Sequence, residues 1–178
     1  REFPERAERL FFYGFTGTIY CTKDSTAHNY AVANNFNFVF INDMPVTEKE
    51  DTHIDYENLI IQTTVQSCAD ISDILGVSDS ARIVVTASCK EGSVELLGTG
   101  TIISVYEGDT LIGDYTLVVN GDTDGDSICD VLDCAQVELA SNSNTNLSGA
   151  YAMAADSNYD DVVDITDYQA IVNKALAS

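Results

Sequence analysis

Two clusters of aspartates near the end of the chain have the residue types and spacing most suggestive of chemistry. The first runs from Asp122 to Asp133 and the second from Asp156 to Asp167, so the clusters have equal length and are offset by 34 residues. In both, oxygen-bearing side chains stand at positions 1, 3, 5, 9 and 12. The predicted side-chain ligands are Asp122, Asp124, Asp126, Asp130 and Asp133 in the first cluster, and Asp156, Asn158, Asp160, Asp164 and Asp167 in the second.

This spacing is typical of a loop that wraps a hard divalent cation. Ca²⁺ takes about six to eight oxygen ligands, and alternate positions of a tightly wound loop point toward its centre. Position 7, which is Ile128 or Val162, would supply a backbone carbonyl oxygen. Mg²⁺ fits less well, because it keeps several waters and seldom takes a cage made only of protein. The sequence therefore predicts two bound calcium ions.

An alternative interpretation is that the clusters are Asp-rich turns that cap helices, since Asp is common at caps. The repetition counts against it, because carboxylates packed this closely repel one another unless a cation lies among them. One position departs from the usual calcium loop: position 6, which commonly holds Gly, holds Ser127 and Asp161. Asp tolerates a left-handed backbone moderately well and Ser less well.

The charge balance excludes several classes of partner. The 178 residues include 29 acidic and 8 basic side chains, a net charge of -21, which argues against nucleic acid or an anionic membrane as the main partner. Residues 121–178 hold 11 of these acids and a single base, Lys174. No run of apolar residues approaches the length of a membrane span. Cations are the natural counterpart of such a chain.

Each aspartate cluster precedes a stretch with helical apolar spacing, at residues 131–140 and 165–176. Residues 141–149 are rich in Asn and Ser and are predicted to be a linker, and residues 150–155 are predicted to add a short helical turn. A strand pattern at 115–119 precedes the first cluster, so neither repeat has an entering helix of the kind found in a full EF-hand. Each repeat is therefore a loop followed by a helix.

Residues 121–178 resemble a type I dockerin, because two calcium loop-helix repeats open with Gly121-Asp122-x-Asp124-Gly125-Asp126 and Ala155-Asp156-x-Asn158-x-Asp160. The resemblance implies a small α fold of two such F-hand repeats and assigns metal ligation to the ten side chains given above. It also implies a partner, since dockerins attach secreted proteins of anaerobic bacteria to cohesin modules on a scaffold or cell surface. An extracellular or cell-surface location, in a bacterium suspected to be an anaerobic Gram-positive species, follows from the same resemblance.

In dockerins, loop positions 10 and 11 carry much of the choice of partner. Here these positions are Val131-Leu132 and Ile165-Thr166, where many members of the family have a Ser-Thr pair. Two interpretations stay open. The apolar side chains form a more apolar contact with a partner than a Ser-Thr pair would, or they pack against the upstream part of the same chain.

The first 120 residues have the pattern of short strands, with β-branched and aromatic runs at 36–40, 59–61, 82–87, 101–106 and 115–119. We expect a β sandwich of immunoglobulin-like type over 1–120, with a division into two subparts, 1–56 and 57–120, as the alternative, followed by the dockerin-like segment 121–178. Residues 57–120 are also similar to the β module that often precedes dockerins. Asp70–Leu75 is the one stretch before the clusters predicted to be a short helix, and Phe11–Phe15 is predicted to be a core strand. Because no flexible linker separates Asn120 from Gly121, we expect the β module and the repeats to pack as one rigid unit.

No catalytic motif appears. The chain has no G-x-S-x-G elbow, no phosphate-binding glycine loop and no H-E-x-x-H, and its two histidines, His28 and His53, are predicted to be isolated, solvated side chains. The five cysteines form no zinc pattern; Cys68 and Cys89 either bridge two strands or are buried free thiols. The predicted function is non-catalytic, calcium-dependent docking of a cohesin. The alternatives are that the repeats only brace a larger surface protein, or that residues 1–120 contact a glycan.

Overall fold

The computed structural model describes residues 17–21, 24–40, 44–86, 89–91, 94–142 and 146–176. Its two compact units are Arg1–Met44 and Pro45–Ser178. The boundaries expected after residues 56 and 120 stay predictions, and the strand predicted at residues 11–15 lies outside the described residues.

The unit Arg1–Met44 contains a parallel pair of strands, β1 (Thr18–Cys21) and β2 (Asn37–Phe40), and the helix α1 (Thr26–Ala33). Ser25 caps the helix by accepting a hydrogen bond from the backbone N–H of His28. The prediction that 70–75 is the one helical stretch before the clusters was therefore wrong. Only Ala31 of the helix is buried, so the helix has no apolar stripe by which periodicity could reveal it.

His28 corrects a second prediction. Its ring lies with its centroid 4.9 Å from both the Phe38 and Phe40 rings, and its side chain is only 15% exposed. These aromatic neighbours come from a strand ten or more residues further along the chain, so the polar local sequence around the histidine gave no sign of them. His53, by contrast, is exposed as predicted, and its Nδ1 lies 2.7 Å from Oε1 of Glu48.

The unit Pro45–Ser178 is built on a mixed five-stranded sheet. Its strand order is β4 (Thr52–Asp55), β5 (Ile60–Thr63), β11 (Thr110–Val119), β10 (Ile102–Glu107) and β7 (Ala81–Thr86). Strands β5 and β11 are parallel, and the other neighbours are antiparallel. Two smaller antiparallel ladders join β3 (Val46–Glu48) to β6 (Leu75–Val77) and β8 (Cys89–Glu91) to β9 (Val94–Leu96). The prediction of a β-rich region followed by helices is confirmed, whereas the sandwich arrangement stays a prediction.

Alternate residues of the sheet build the main core, as the two-residue period of a strand requires. Ile61, Ile103, Val105, Tyr115 and Leu117 are buried on one face, where they join apolar side chains from β3, β6 and the turns between them. A single 3-10 turn at Ile71–Asp73, capped by Asp70, stands where a short helix was predicted.

Cys68 belongs to this core and is a free thiol that donates a hydrogen bond to the backbone oxygen of Asp70. Of the two alternatives for this cysteine, a disulfide and a buried thiol, the structure shows the second. Burial raises the pKa of its thiol above the ordinary value.

Three helices follow the sheet: α2 (Val131–Ser141), α3 (Ala150–Ala155) and α4 (Ile165–Ala175). A second, smaller core forms where α2 and α4 pack together around Cys129, Val137, Ala155 and Ile171. The short helix α3 was predicted, and it also contacts strand β11. The chain leaves β11 through Gly121, which has a φ of +90° and whose N–H donates to the backbone oxygen of Ala154. A Cβ at this glycine would lie 2.8 Å from Sγ of Cys129, so any other residue would be strained and would collide with the second core.

Candidate metal centres

The two aspartate clusters fold into loops that each lead into a helix. Loop 1 (residues 122–133) leads into α2, and loop 2 (residues 156–167) leads into α4. Both helices are 11 residues long and begin at the same position of their loop. The N-caps are Asp130 and Asp164, and each cap forms a capping box with the aspartate three residues later, Asp133 or Asp167. The side chain and the backbone of each cap are thus both hydrogen-bonded within the first turn.

Asp122, at position 1 of loop 1, is fully buried and its carboxylate is held by backbone N–H groups. Its Oδ1 accepts hydrogen bonds from Gly125 at 2.6 Å and Asp126 at 3.0 Å. Its Oδ2 accepts from Ser127 at 3.0 Å and from Thr99, outside the loop, at 2.7 Å. The loop backbone therefore curves around the carboxylate of Asp122, because its N–H groups point toward that side chain.

Asp133, at position 12, closes the loop from the helix side. Its Oδ1 accepts from the backbone N–H of Thr123 at 2.6 Å, and from the Thr123 hydroxyl at 3.1 Å. Its Oδ2 accepts from the backbone N–H of Asp130 at 2.8 Å. The side chain is fully buried, so one carboxylate joins the start of the loop to the start of helix α2.

Loop 2 repeats this pattern of hydrogen bonds. Asp156 accepts from the N–H groups of Asp160 at 3.2 Å and Asp161 at 2.8 Å. Asp167 accepts from Ser157 at 2.8 Å and from Asp164 at 3.0 Å. Each of these bonds has a counterpart 34 residues earlier, so the repeat seen in the sequence is also a repeat of local structure.

Left-handed backbone occurs at the same positions in both loops. Position 4 has a φ of +87° at Gly125 and +62° at Tyr159, and position 6 has +76° at Ser127 and +65° at Asp161. Position 6 thus takes the conformation that usually favours Gly, although neither loop has one there. Because Ser127 and Asp161 each bond their N–H to the carboxylate at position 1, the loop geometry holds these residues in a conformation that costs free energy.

Carboxylate oxygens meet inside each loop. In loop 1, one oxygen from each of Asp122, Asp124 and Asp126 lies within 4.8 Å of the others. In loop 2, the same holds for the side chains of Asp156, Asp160 and Asp167. Each loop therefore holds a group of carboxylates able to bind a metal ion, and a donor set made only of oxygen suits a hard cation.

Other predicted ligands have different roles in this arrangement. Asp130 and Asp164, at position 9, lie outside these groups, and their side chains accept hydrogen bonds from Leu132 and Thr166 as helix caps. Asp130 and Asp164 are thus helix caps, and the ligand role predicted for them stays a prediction. Asn158 uses its Oδ1 to accept from Asp160 N–H at 3.0 Å, as Asp124 does for Asp126 at 3.2 Å.

The backbone N–H groups of Ile128 and Val162 donate to the aspartates at position 5, Asp126 and Asp160, at 2.9 and 3.0 Å. The ligand role predicted for the carbonyl oxygens of Ile128 and Val162 stays a prediction.

Burial works against ionisation in loop 1. It raises the pKa of Asp122 above the ordinary value, although the N–H groups of Thr99, Gly125 and Ser127 oppose this. Burial, with repulsion from Asp126, also raises the pKa of Asp124.

Burial also raises the pKa of Asp133, from 3.8 to about 6. Hydrogen bonds from Asp130 and Thr123 lower it but do not cancel the effect of burial. Lys174, the one basic residue of the segment, is partly buried, and its Nζ donates to both oxygens of Asn120, at 3.4 Å to Oδ1.

Sequence reasoning missed the part of the β module that contacts loop 1. The backbone N–H of Thr99 bonds to Asp122, and the hydroxyl of Ser127 donates to the backbone oxygen of Leu97 at 3.0 Å. The two partners in each bond are 23 and 30 residues apart, and both β-module groups belong to the backbone. Backbone groups leave no residue-type signal, so no motif could have identified these contacts.

The four residues predicted to contact a partner are all exposed. Val131 is 73% exposed, Leu132 56% and Ile165 54%, and Thr166 is also on the surface. Within the described residues of the unit Pro45–Ser178, these apolar side chains are therefore not packed against the upstream strands. The hydroxyl of Thr166 is bonded within loop 2, to Asp164 and Asn158.

Comparison of the chain with models of known protein families, with curated proteins and with solved structures found no match. None of the helices in the described part of the chain combines the length and the apolar character needed to cross a membrane.

Proposed function

We propose that this chain is a calcium-dependent anchoring fragment, in which the dockerin-like segment 121–178 docks a cohesin and the preceding β sandwich is its companion. The observation that carries the proposal is the repeated set of hydrogen bonds around positions 1 and 12 of two loops, each with three converging carboxylates. A turn that only caps a helix needs the bonds at positions 9 and 12. It does not need the further carboxylates that converge on position 1, which are Asp124 and Asp126 in loop 1 and Asp160 in loop 2.

Calcium is the proposed ion, with one ion in each loop. The donor sets consist of carboxylate and amide oxygens in a flexible loop, which suits a cation that accepts six or more oxygens with irregular geometry. Three clustered carboxylates per loop also repel one another, and a dication relieves this repulsion. Calcium therefore stabilises the folded state: each site contributes about 2.7 kcal/mol when free calcium is a hundredfold above its dissociation constant.

The proposed docking surface consists of Val131, Leu132, Ile165 and Thr166, at positions 10 and 11 of the two loops. These residues begin helices α2 and α4, directly after the caps Asp130 and Asp164. Their position is thus set by the same loops that bind calcium. Three exposed apolar side chains at corresponding places in the repeats support a contact with an apolar partner surface.

The first test is calorimetric titration of the protein with calcium, which we expect to report two sites. Binding to a panel of cohesins in millimolar calcium should then disappear on chelation and return when calcium is restored. Two calcium sites without binding to any cohesin would reject the docking proposal. The absence of calcium binding would reject the whole proposed function.

Alanine variants distinguish docking from the alternative in which the repeats only brace a larger protein. Leu132→Ala and Ile165→Ala should leave thermal stability nearly unchanged, because both side chains are more than half exposed, and should weaken cohesin binding. Ile171→Ala is the matched control for Ile165→Ala, because Ile171 is a buried residue of the same helix, α4. This control variant should lower the thermal stability. A brace would instead show a loss of stability for Leu132→Ala or Ile165→Ala.

A further inference from the structure

Among the described residues, loop 1 is joined to the β-rich region by backbone hydrogen bonds that have no counterpart in loop 2. The bridging segment is Leu97–Thr99, which follows strand β9 and precedes β10. Its Thr99 N–H donates to Asp122, and its Leu97 oxygen accepts from the hydroxyl of Ser127. A third bond runs from the N–H of Ser67 to the backbone oxygen of Ser127, at 2.8 Å.

Gly98 allows the backbone of the segment Leu97–Thr99 to lie in direct contact with the backbone of loop 1. A Cβ built at this residue would lie 2.2 Å from the backbone oxygen of Gly125 and 2.9 Å from the backbone N of Ser127. Both atoms belong to the main chain of loop 1, so no side chain can rotate away to make room. Any residue other than glycine at this position would therefore push loop 1 away from the segment Leu97–Thr99.

The bridging segment is tied in turn to the central strand of the sheet. The Thr99 hydroxyl accepts from the N–H of Val119 at 3.0 Å and lies 3.3 Å from the oxygen of the same residue. Thr99 is fully buried, and so is Val119 at the end of β11. Thus one residue connects the carboxylate at position 1 of loop 1 to the strand that leads into that loop.

Loop 2 contacts the same region differently. The position-1 carboxylate of loop 2, on Asp156, is bonded to N–H groups of its own loop, from Asp160 and Asp161. Loop 2 reaches the end of β11 through the hydroxyl of Tyr159, which accepts from Asn120 Nδ2 at 3.4 Å. Tyr159 is 60% exposed and is not a predicted ligand.

We propose that the segment Leu97–Thr99 is a positioning element of the first cation site, so that ion binding in loop 1 and folding of the β-rich region are coupled, whereas this segment does not position the ion site of loop 2. This inference rests on the proposed calcium binding. The physical basis is that Thr99 fixes Asp122 in the orientation that the ion requires. Coupling of this kind is reciprocal, so the ion also holds Thr99 against Val119.

The test is calcium titration of the full chain carrying Gly98→Ala. One of the two sites should weaken at least tenfold, and the other should keep its affinity. Gly108→Ala is the matched control: this glycine lies in the turn between β10 and β11 with a φ of +60°, and a Cβ there meets no atom within 4 Å. Because this turn lies at the end of β10 farthest from the segment Leu97–Thr99, both calcium affinities should stay unchanged.

A milder pair of variants covers the case in which Gly98→Ala fails to fold. Ser127→Ala removes the hydroxyl bonded to Leu97 and should weaken one site severalfold. Ser141→Ala removes a similar bond, from hydroxyl to the backbone oxygen of Glu138 at 2.9 Å, at the end of helix α2. It should leave both sites unchanged. Equal calcium isotherms for wild type and Ser127→Ala would overturn the inference while the two sites, and with them the proposed function, stand.

Amide hydrogen exchange gives a readout that does not depend on affinity. Asp124→Asn in loop 1 should speed exchange at the N–H groups of Thr99 and Val119 when calcium is present. Asp160→Asn in loop 2 should leave exchange at these two amides as in the wild type. Equal protection of these amides in both variants would contradict the coupling, whereas a wild type without calcium binding would contradict the proposed function.

Discussion

The buried carboxylate of Asp133 should make the stability of the calcium-free protein fall as the pH rises. Its folded pKa is about 6 against an ordinary value of 3.8, so the folded chain binds this proton more tightly than the unfolded chain does. A folded pKa above the unfolded one gives stability that is present below about pH 4 and is lost between about pH 4 and 6. An increase of about 2 in the pKa corresponds to a loss of about 3 kcal/mol.

Asp122 and Asp124 act in the same direction, because burial raises their pKa values as well. The effect of Asp133 is therefore isolated by comparison with Asp133→Asn. The amide oxygen of that variant can still accept the N–H of Thr123, but the amide no longer titrates. Because the substitution also changes absolute stability, the quantity to compare is the change of stability with pH.

The assay is urea unfolding followed by circular dichroism, from pH 4 to 7.5, on protein freed of calcium with a chelating resin. Wild type should lose up to about 3 kcal/mol more than Asp133→Asn over this range. With calcium present the sign should reverse for wild type, since the ion requires the ionised carboxylate and protons compete with it. Parallel pH profiles for wild type and Asp133→Asn without calcium would refute the reasoning.

Three further predictions concern the helical repeats. Ile171→Ala should lower the free energy of unfolding by about 2 to 5 kcal/mol, because the side chain is fully buried, whereas the exposed Ile165→Ala should change it by less than about 0.5 kcal/mol in the same urea assay. Lys174→Met should cost about 1 to 3 kcal/mol by urea unfolding, since it leaves the backbone oxygen of Asn120 without its charged donor; an unchanged midpoint would contradict this role. Asp161→Gly should raise the melting temperature of the calcium-free protein relative to Asp161→Asn, because φ is +65° at this position and glycine adopts that conformation without strain; equal melting temperatures would show that the loop is not strained there.

The sequence alone predicted the two loops well because their information is local. The carboxylates at positions 1 and 12 bond N–H groups within the same 12 residues, so residue types at fixed spacing are enough to specify them. The helices α2 and α4 were predicted for the same reason, since each is capped by an aspartate of its own loop. Four of the five strands of the main sheet were found from β-branched runs, but β4, the strand order and the parallel pairing of β5 with β11 were not. The pairing of β5 with β11 joins residues more than 50 positions apart, and neither strand carries a periodicity that would identify its partner.

The residues that sequence reasoning misjudged are those whose surroundings come from elsewhere in the chain. His28 looked solvated because its neighbours in sequence are polar, yet Phe38 and Phe40 enclose it in the fold. Helix α1 was missed because one buried alanine makes no apolar stripe.

The sequence by itself determined that two similar oxygen-lined loops exist, because the hydrogen bonds that the two loops share lie within each repeat. Only the tertiary structure decided that these loops are not equivalent in context. Loop 1 is bonded to the β module through backbone atoms of Leu97 and Thr99, and Gly98 allows this contact. The physical reason is that a main-chain hydrogen bond between distant segments depends on packing, and every residue except proline carries the same N–H and C=O groups.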